Sequence, residues 1–150
     1  MPDIARTAHQ MISGMTPVLQ PGVFVFITTD DPALVASLSP KAISTFREQE
    51  GMSLLIPVAL AKESLLNTDY PMRCITLNVF SSLEGVGLTA AVSSALGDSG
   101  IACNMVAAFH HDHVFLPAAN VRSSDGGSTI TAEPSSQTRP TKNVIVARSE

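Results

Sequence analysis

The chain is predicted to fold as an α+β protein with helices on one face of an antiparallel sheet. Three observations predict it. "MRCITLNVF" (Met72 to Phe80) alternates as a strand does, and the "SSLEGVGLTAAVSSALGDSG" that follows carries an apolar face at helical spacing and ends in glycines. "IACNMVAAF" and "VFLP" then read as two strands joined by "HHDH". Strand, helix, strand, strand is half of a ferredoxin-like βαββαβ unit.

Along the chain, Pro21-Gly22 is a turn signal before "VFVFITT" (Val23 to Thr29), a β-branched and aromatic run that reads as a buried strand. "DDPALVASLSP" breaks it. Ser39 before Pro40 is an N-cap followed by proline at the first helical position, Ile43 and Phe46 share a side and Gly51 stops the chain, so a helix is expected over 40–50. "MSLLIPVAL" is a second apolar strand, in which Pro57 cannot donate to a ladder and should lie at an edge or end the pairing. "AKESLLN" makes one or two helical turns. In the Met72 to Phe80 strand, Cys74, Thr76, Asn78 and Phe80 point opposite to Ile75, Leu77 and Val79. The next helix places Leu88, Val92, Ala95 and Leu96 on one side and turns Thr89 and Ser93 away, with Gly97 and Gly100 supplying its end. From Asn120 the Ser, Thr, Gly and Pro-rich composition has no periodicity and cannot bury enough apolar surface to offset its ordering entropy. That stretch is expected to be mobile, with only "NVIVA" (Asn143 to Ala147) returning as a strand. "VFVFITTDDPALV" and "ITLNVFSSLEGVGLTAAV" share a plan of strand, polar turn and small-residue helix start, which fits two related modules without establishing a duplication.

The totals narrow the function classes. A chain of 150 residues with 45% hydrophobic residues suits one compact domain or two small modules sharing a core. Net charge is −4, charged residues make up 15%, and no Lys/Arg stripe could neutralise a phosphate backbone, so no nucleic-acid partner is expected. No apolar run approaches the ~20 residues of a membrane span. "MPDIARTAHQMISGM" lacks the cationic flank and apolar core of a leader, so a cytoplasmic location with no membrane partner is expected. Two cysteines, Cys74 and Cys103, are too few and too unpatterned for a disulfide framework and read as buried thiols.

Two stretches are candidates for chemistry. In "AAFHHDHVFLP", His110, His111, Asp112 and His113 supply potential metal ligands or proton carriers, yet no second cluster completes a site, since His9 stands alone near the start. The alternative is a hairpin corner in which Asp112 accepts local backbone hydrogen bonds. "SSLEGVGLT" lies between a strand and a helix, where free backbone N–H groups at a helix start can receive a carboxylate, and Gly85 and Gly87 let the backbone come close to a ligand. The pattern is neither a G-x-G-x-x-G fingerprint nor a P-loop, and glycines needed for a tight turn and close packing are the other reading. No G-x-S-x-G elbow occurs, and both cysteines fall on expected strands, away from the electropositive setting of a reactive thiolate. "FREQEG" reads as a solvated helix face that could also supply a charged contact. No catalytic residue, metal or cofactor is expected.

Taken together, "FREQEGMSLLIP" and "YPMRCITLNVFSSLEGVGLTAAVSSALGDSGIACNMVAAFHHDHVFLP" closely resemble small stand-alone proteins of two tandem ACT-like modules, over residues 13 to 118, the second half being the more specific. The resemblance implies an α+β fold of two ferredoxin-like βαββαβ modules packed together. The first is a divergent module over 13–69 and the second has its core in 70–118, leaving a tail, 119–150, where related proteins supply a helix and fourth strand. It also implies a non-catalytic regulatory role with a small-molecule ligand, an amino acid. The ligand would be held by Ser82, Leu83, Glu84, Gly85, Val86, Gly87 and Leu88, with Asn104 on the following strand facing it. The usual ACT turn carries an acidic residue before Pro-Gly, whereas Glu84 here precedes Gly85-Val86-Gly87. Asp112-His113 then becomes a structural hairpin. The atypical end leaves part of a sheet to be covered by "NVIVA" or by a neighbouring subunit, as in a homodimer. A ligand-free protein–protein interaction module and a metal-dependent enzyme using His110 to His113 are the alternative functions.

Overall fold

The computed structural model describes residues 16–78, 87–98, 100–123, 129–132 and 145–149. These fall into two compact units, one of Gly22–Met72 and one built from the chain up to Pro21 together with Arg73 onward. Strand β1 (Thr16–Leu19) belongs to the latter.

The Gly22–Met72 unit opens with β2 (Phe24–Thr29). The chain then enters α1 (Pro32–Leu38), because the Asp31 carboxylate accepts from Ala33 N at 2.9 Å and Pro32 presets the first helical residue. "DDPALV" thus both ends the β2 strand and starts a helix. Ser39–Lys41 form a 3-10 turn that prolongs α1, and the helix expected over 40–50 is absent. In its place β3 (Ser44–Arg47) pairs antiparallel with β4 (Met52–Pro57), from Ser44↔Leu55 to Arg47↔Met52. The turn between them is closed by Glu48 N to Gly51 O at 2.8 Å and Gly51 N to Glu48 O at 3.3 Å. Gly51 takes φ +150°, and a Cβ there would lie 2.7 Å from Thr29 O, so the turn requires glycine. A tight turn plus a ready partner strand outweighs the three-residue spacing of Ile43 and Phe46.

Strand β4 pairs with β2 over its whole length, Phe24↔Pro57 to Thr29↔Met52, giving the order β3-β4-β2. Pro57 is the last residue of β4; its missing N–H faces the β3 side, where pairing has already ended at Ser44↔Leu55, while Val58 N still bonds Val23 O at 2.9 Å, and α2 (Val58–Glu63) begins at once. Leu65 N bonds Lys62 O at 3.1 Å and Leu66 N bonds Ala61 O at 2.9 Å, the two bonds of a Schellman cap, with Leu65 at φ 56° where glycine is usual. The core joins Val25 and Ile27 of β2, Leu54 and Ile56 of β4, Leu38 and Ala61. Each large aliphatic side chain buried there contributes about 1.5–3 kcal/mol.

The second unit runs β5 (Met72–Asn78), whose first residue closes the first unit, then α3 (Leu88–Asp98), β6 (Asn104–Ala107) and β7 (Asp112–Pro117). After a 3-10 turn at Ala118–Asn120 come β8 (Val121–Ser123), β9 (Thr129–Ala132) and β10 (Ile145–Ser149). Its strand order is β6-β7-β5-β1-β10-β9-β8. β1 lies antiparallel to β5, with Val18↔Thr76 and Leu19↔Ile75, and parallel to β10. Strands thus occur where composition predicts coil. Their β-branched segments, "TITA" and "IVARS", gain main-chain partners through β8-β9-β10-β1 pairing, and β10 overlaps the expected "NVIVA" strand.

Ile75, Leu77, Leu19, Val114 and Leu116 form the sheet side of the core, and Val92, Leu96 and Ile101 the helix side. Ala95, expected inward, is exposed on the flank of α3. Gly97 lies within the helix, and the end is made at Gly100. There φ is +71°, Gly100 N bonds Gly97 O and Ile101 N bonds Leu96 O, each at 2.9 Å. Cys74 and Thr76 are buried on the face of β5 opposite Ile75 and Leu77, so the predicted alternation holds. Phe80 and Val79 lie outside the described residues.

Candidate functional site

Of the turn expected to hold a ligand, Ser82, Leu83, Glu84, Gly85 and Val86 lie outside the described residues. Gly87 and Leu88 are placed. Gly87 has φ +100°, a conformation that only glycine adopts without strain, and Leu88 is the first residue of α3. Ala91 N bonds Gly87 O at 2.9 Å, closing the first helical turn. The N–H groups that precede Ala91 in α3 have no acceptor within the helix and point back along its axis, toward the turn. The corresponding turn of the other unit differs, because Asp30 and Asp31 make it acidic and Asp31 fills the helix start with its own carboxylate. Asn104 is exposed at the start of β6 and pairs with Phe115, so it shares the sheet face of Phe115 and His113.

The histidine run is divided by the fold. Ala107 pairs with Asp112, and Ala108 N bonds His111 O at 3.0 Å, so the hairpin corner is Ala108 to His111. Asp112 and His113 are residues of β7, which corrects their assignment to the corner. The His110 ring packs edge-on against Phe109 at 4.9 Å between centroids, and its centroid is 6.3 Å from that of His111. The Nδ1 of His111 is shielded from solvent without a hydrogen-bond partner. Among the described residues no three His, Cys, Asp or Glu side chains gather as metal ligands.

His113 instead completes a polar chain that the sequence did not reveal. Gln20 Nε2 donates to Thr76 Oγ1 at 3.0 Å, and Thr76 Oγ1 lies 2.9 Å from His113 Nδ1. Having accepted from Gln20, the hydroxyl can give its one proton to Nδ1 when the imidazole is neutral and carries its proton on Nε2. Burial pushes the His113 pKa below its ordinary value, with His111 adding to that and Asp112 opposing it. Beside this chain, burial raises the Cys74 thiol to about 11 despite a hydrogen bond with Thr76 that acts the other way. Burial also raises Cys103. Both shifts disfavour the reactive thiolate at neutral pH. Arg73 Nη2 donates to Gln20 O at 3.5 Å, and its Nε is buried without a partner. The partners are 56 and 37 residues apart in sequence, so no local motif announces them. Alternation alone marks Thr76 as one face of a strand.

Residues 6–73 match a family described as the ACT domain. That is the earlier half, not the 70–118 stretch in which the sequence resemblance is more specific. Thirteen chains of solved structures match significantly. Among them, a crystal structure of a Vibrio cholerae protein of unknown function, described as a possible transport protein, is 37% identical, with a TM-score of 0.63. The match covers 72% of this chain and 82% of that one. Among curated proteins nothing matches significantly. No helix among the described residues is long and apolar enough to cross a membrane.

Proposed function

Since the chain belongs to the ACT-domain family, whose members are generally regulatory modules that bind small ligands, often amino acids, we propose that it is a non-catalytic cytoplasmic sensor of an amino acid built from two tandem ACT-like modules. The ligand sits at the turn from Ser82 to Leu88, with Asn104 as a polar contact from β6. Two modules are supported by a repeated plan, since β2-α1-β3-β4 and β5-α3-β6-β7 follow the same element order and have matching strand orders, β3-β4-β2 and β6-β7-β5. The observation that carries the site is the opening of α3. Gly87 at φ +100° leads into a helix start where a ligand carboxylate can meet backbone N–H groups, while at α1 the Asp31 side chain already occupies that position.

Titration calorimetry against the twenty common amino acids tests this. Saturable heat for one or a few of them, lost in Gly87→Trp, is expected. No heat at millimolar concentrations removes the sensor reading, and full binding by Gly87→Trp removes the site. A second reading, a ligand-free interaction module, is favoured by the exposed Phe46 of β3 and Ile43 just before it, since β3 pairs only with β4 among the described residues. It predicts a homodimer whose dissociation constant is unchanged by metabolites.

A further inference from the structure

The Gly22–Met72 unit contains a cavity that has no part in the proposed amino-acid site, and its origin lies in the strand register. β5 pairs with β2 only through Phe24↔Met72, whereas β4 pairs with every residue of β2. Beyond that single bridge, the space beside β2 is bounded by the segment after α2. The left-handed Leu65 turns the chain back, and an Asx turn holds the next bend, with Asp69 N donating to Asn67 Oδ1 at 2.7 Å and Asn67 Nδ2 donating to Asp69 Oδ2 at 3.0 Å. The cavity is open on one side, and its volume is about 410 Å³, within the range of small-molecule sites.

Its lining defines a chemistry. Val25, Ile27 and Met72 are buried apolar walls, and Leu66 adds a fourth. Two aromatic residues line it, Phe26 at 47% and Tyr70 at 55% exposure, and offer ring surface to a ligand. Polar atoms come from the Thr28 and Tyr70 hydroxyls, since the Asn67 amide is committed to Asp69. The backbone of Thr28 adds a donor and an acceptor. Val58 N bonds Val23 O, so the alternating antiparallel register directs the N–H and C=O groups of Val25 and Ile27 toward β4 and those of Thr28 away from it, to the cavity side. Among the described residues, no ionisable group of opposite sign to a carboxylate or an ammonium lines the space apart from the Tyr70 phenol. Burying either charge there would lack compensation.

We infer that this cavity is a second binding site, for an uncharged small molecule that places a ring or branched apolar group between Phe26 and Tyr70 and a hydroxyl or amide against Thr28. It differs in place and chemistry from the proposed amino-acid site, which takes a charged ligand at a helix start in the other unit. Benzyl alcohol is a suitable probe, with phenylacetate as its charged counterpart. The chain has one Tyr and no Trp, so the emission excited near 280 nm comes from Tyr70 in the cavity wall. Benzyl alcohol should change it saturably with an apparent Kd on the order of millimolar. Phenylacetate should bind at least about tenfold more weakly. Phe26→Ala and Thr28→Arg should each weaken benzyl alcohol at least about tenfold. In the unaltered protein, benzyl alcohol should move the backbone amide resonances of Thr28, Leu66 and Tyr70, so the result does not depend on either variant folding. A linear response, equal binding of phenylacetate, or shifts gathered elsewhere overturns the inference. Gly87→Trp, read by the Thr28, Leu66 and Tyr70 amide shifts because it adds a tryptophan to the emission, should leave the benzyl alcohol response intact, which separates failure of this site from failure of the amino-acid reading.

Discussion

The Thr76 hydroxyl on β5 lies 2.9 Å from His113 Nδ1 on β7 and accepts from Gln20 just past the end of β1, so one buried oxygen ties three strands together. Thr76 and Val differ by little in shape, and the valine supplies neither donor nor acceptor. Thr76→Val should therefore leave Gln20 Nε2 and His113 Nδ1 without their partner and cost about 1–2 kcal/mol, while Thr76→Ser, keeping the oxygen, should cost less. Urea denaturation midpoints of the three proteins measure it. Equal stability of Thr76→Val and the parent would mean that the hydrogen bonds contribute nothing.

The same pair sets a pH dependence. The His113 pKa is lowered in the folded protein, chiefly by burial. Above the ordinary histidine value both folded and unfolded chains are neutral at this site, and it adds no slope. As pH falls through about 6.5 the unfolded chain takes up its proton first, so stability falls, and the slope vanishes once the pH is below the folded value. Stability measured from pH 7.5 to 5 should decline less steeply in His113→Gln than in the parent protein. The difference between the two curves isolates His113 from His111 and Asp112, which remain in both.

Two neighbouring glycines at the end of α3 should respond to alanine with opposite sign. Gly97 is inside α3, and a Cβ there would meet nothing within 4 Å, so Gly97→Ala should stabilise by up to about 1 kcal/mol. Gly100 also has open space, but its φ of +71° makes Gly100→Ala destabilising by about 1 kcal/mol. Leu65 is the mirror case, a leucine 95% exposed at φ 56°, where Leu65→Gly should relieve strain of about 1 kcal/mol at little loss of buried surface. Thermal melts of the three variants rank them.

Much of the strand pattern was legible because it depends on local alternation, as at Cys74 to Leu77, where successive side chains do occupy opposite faces. Asp31-Pro32 carries a helix-start signal as plain as that of Ser39-Pro40, and both cannot begin separate helices eight residues apart when a hairpin must follow. What decides between them is the pairing of Ser44–Arg47 with Met52–Leu55, which depends on a partner strand and on Gly51 fitting against Thr29 O. The candidate site divides the same way. The glycine before α3 is a local requirement and could be read from the chain, whereas Gln20, Thr76 and His113 meet only after β1, β5 and β7 align. The cavity beside β2 is likewise invisible before folding, because it exists only where the β5 pairing stops at Phe24.

The thiol beside the polar chain should be slow to react. Cys74 is buried, and its pKa is pushed up to about 11 from a usual value of 9.0. A rise of that size leaves about a hundredfold less thiolate at pH 8, and thiolate is the species that reacts. In Cys103→Ser, where Cys74 is the remaining thiol, labelling by a disulfide reagent at pH 8 should be at least about a hundredfold slower in the folded protein than in denaturant, since burial also blocks access. If opening is the route to reaction, the rate should rise in Thr76→Val by about tenfold for each 1.4 kcal/mol of stability lost. Fast labelling of the folded protein would place Cys74 in solvent and contradict the packing of β5.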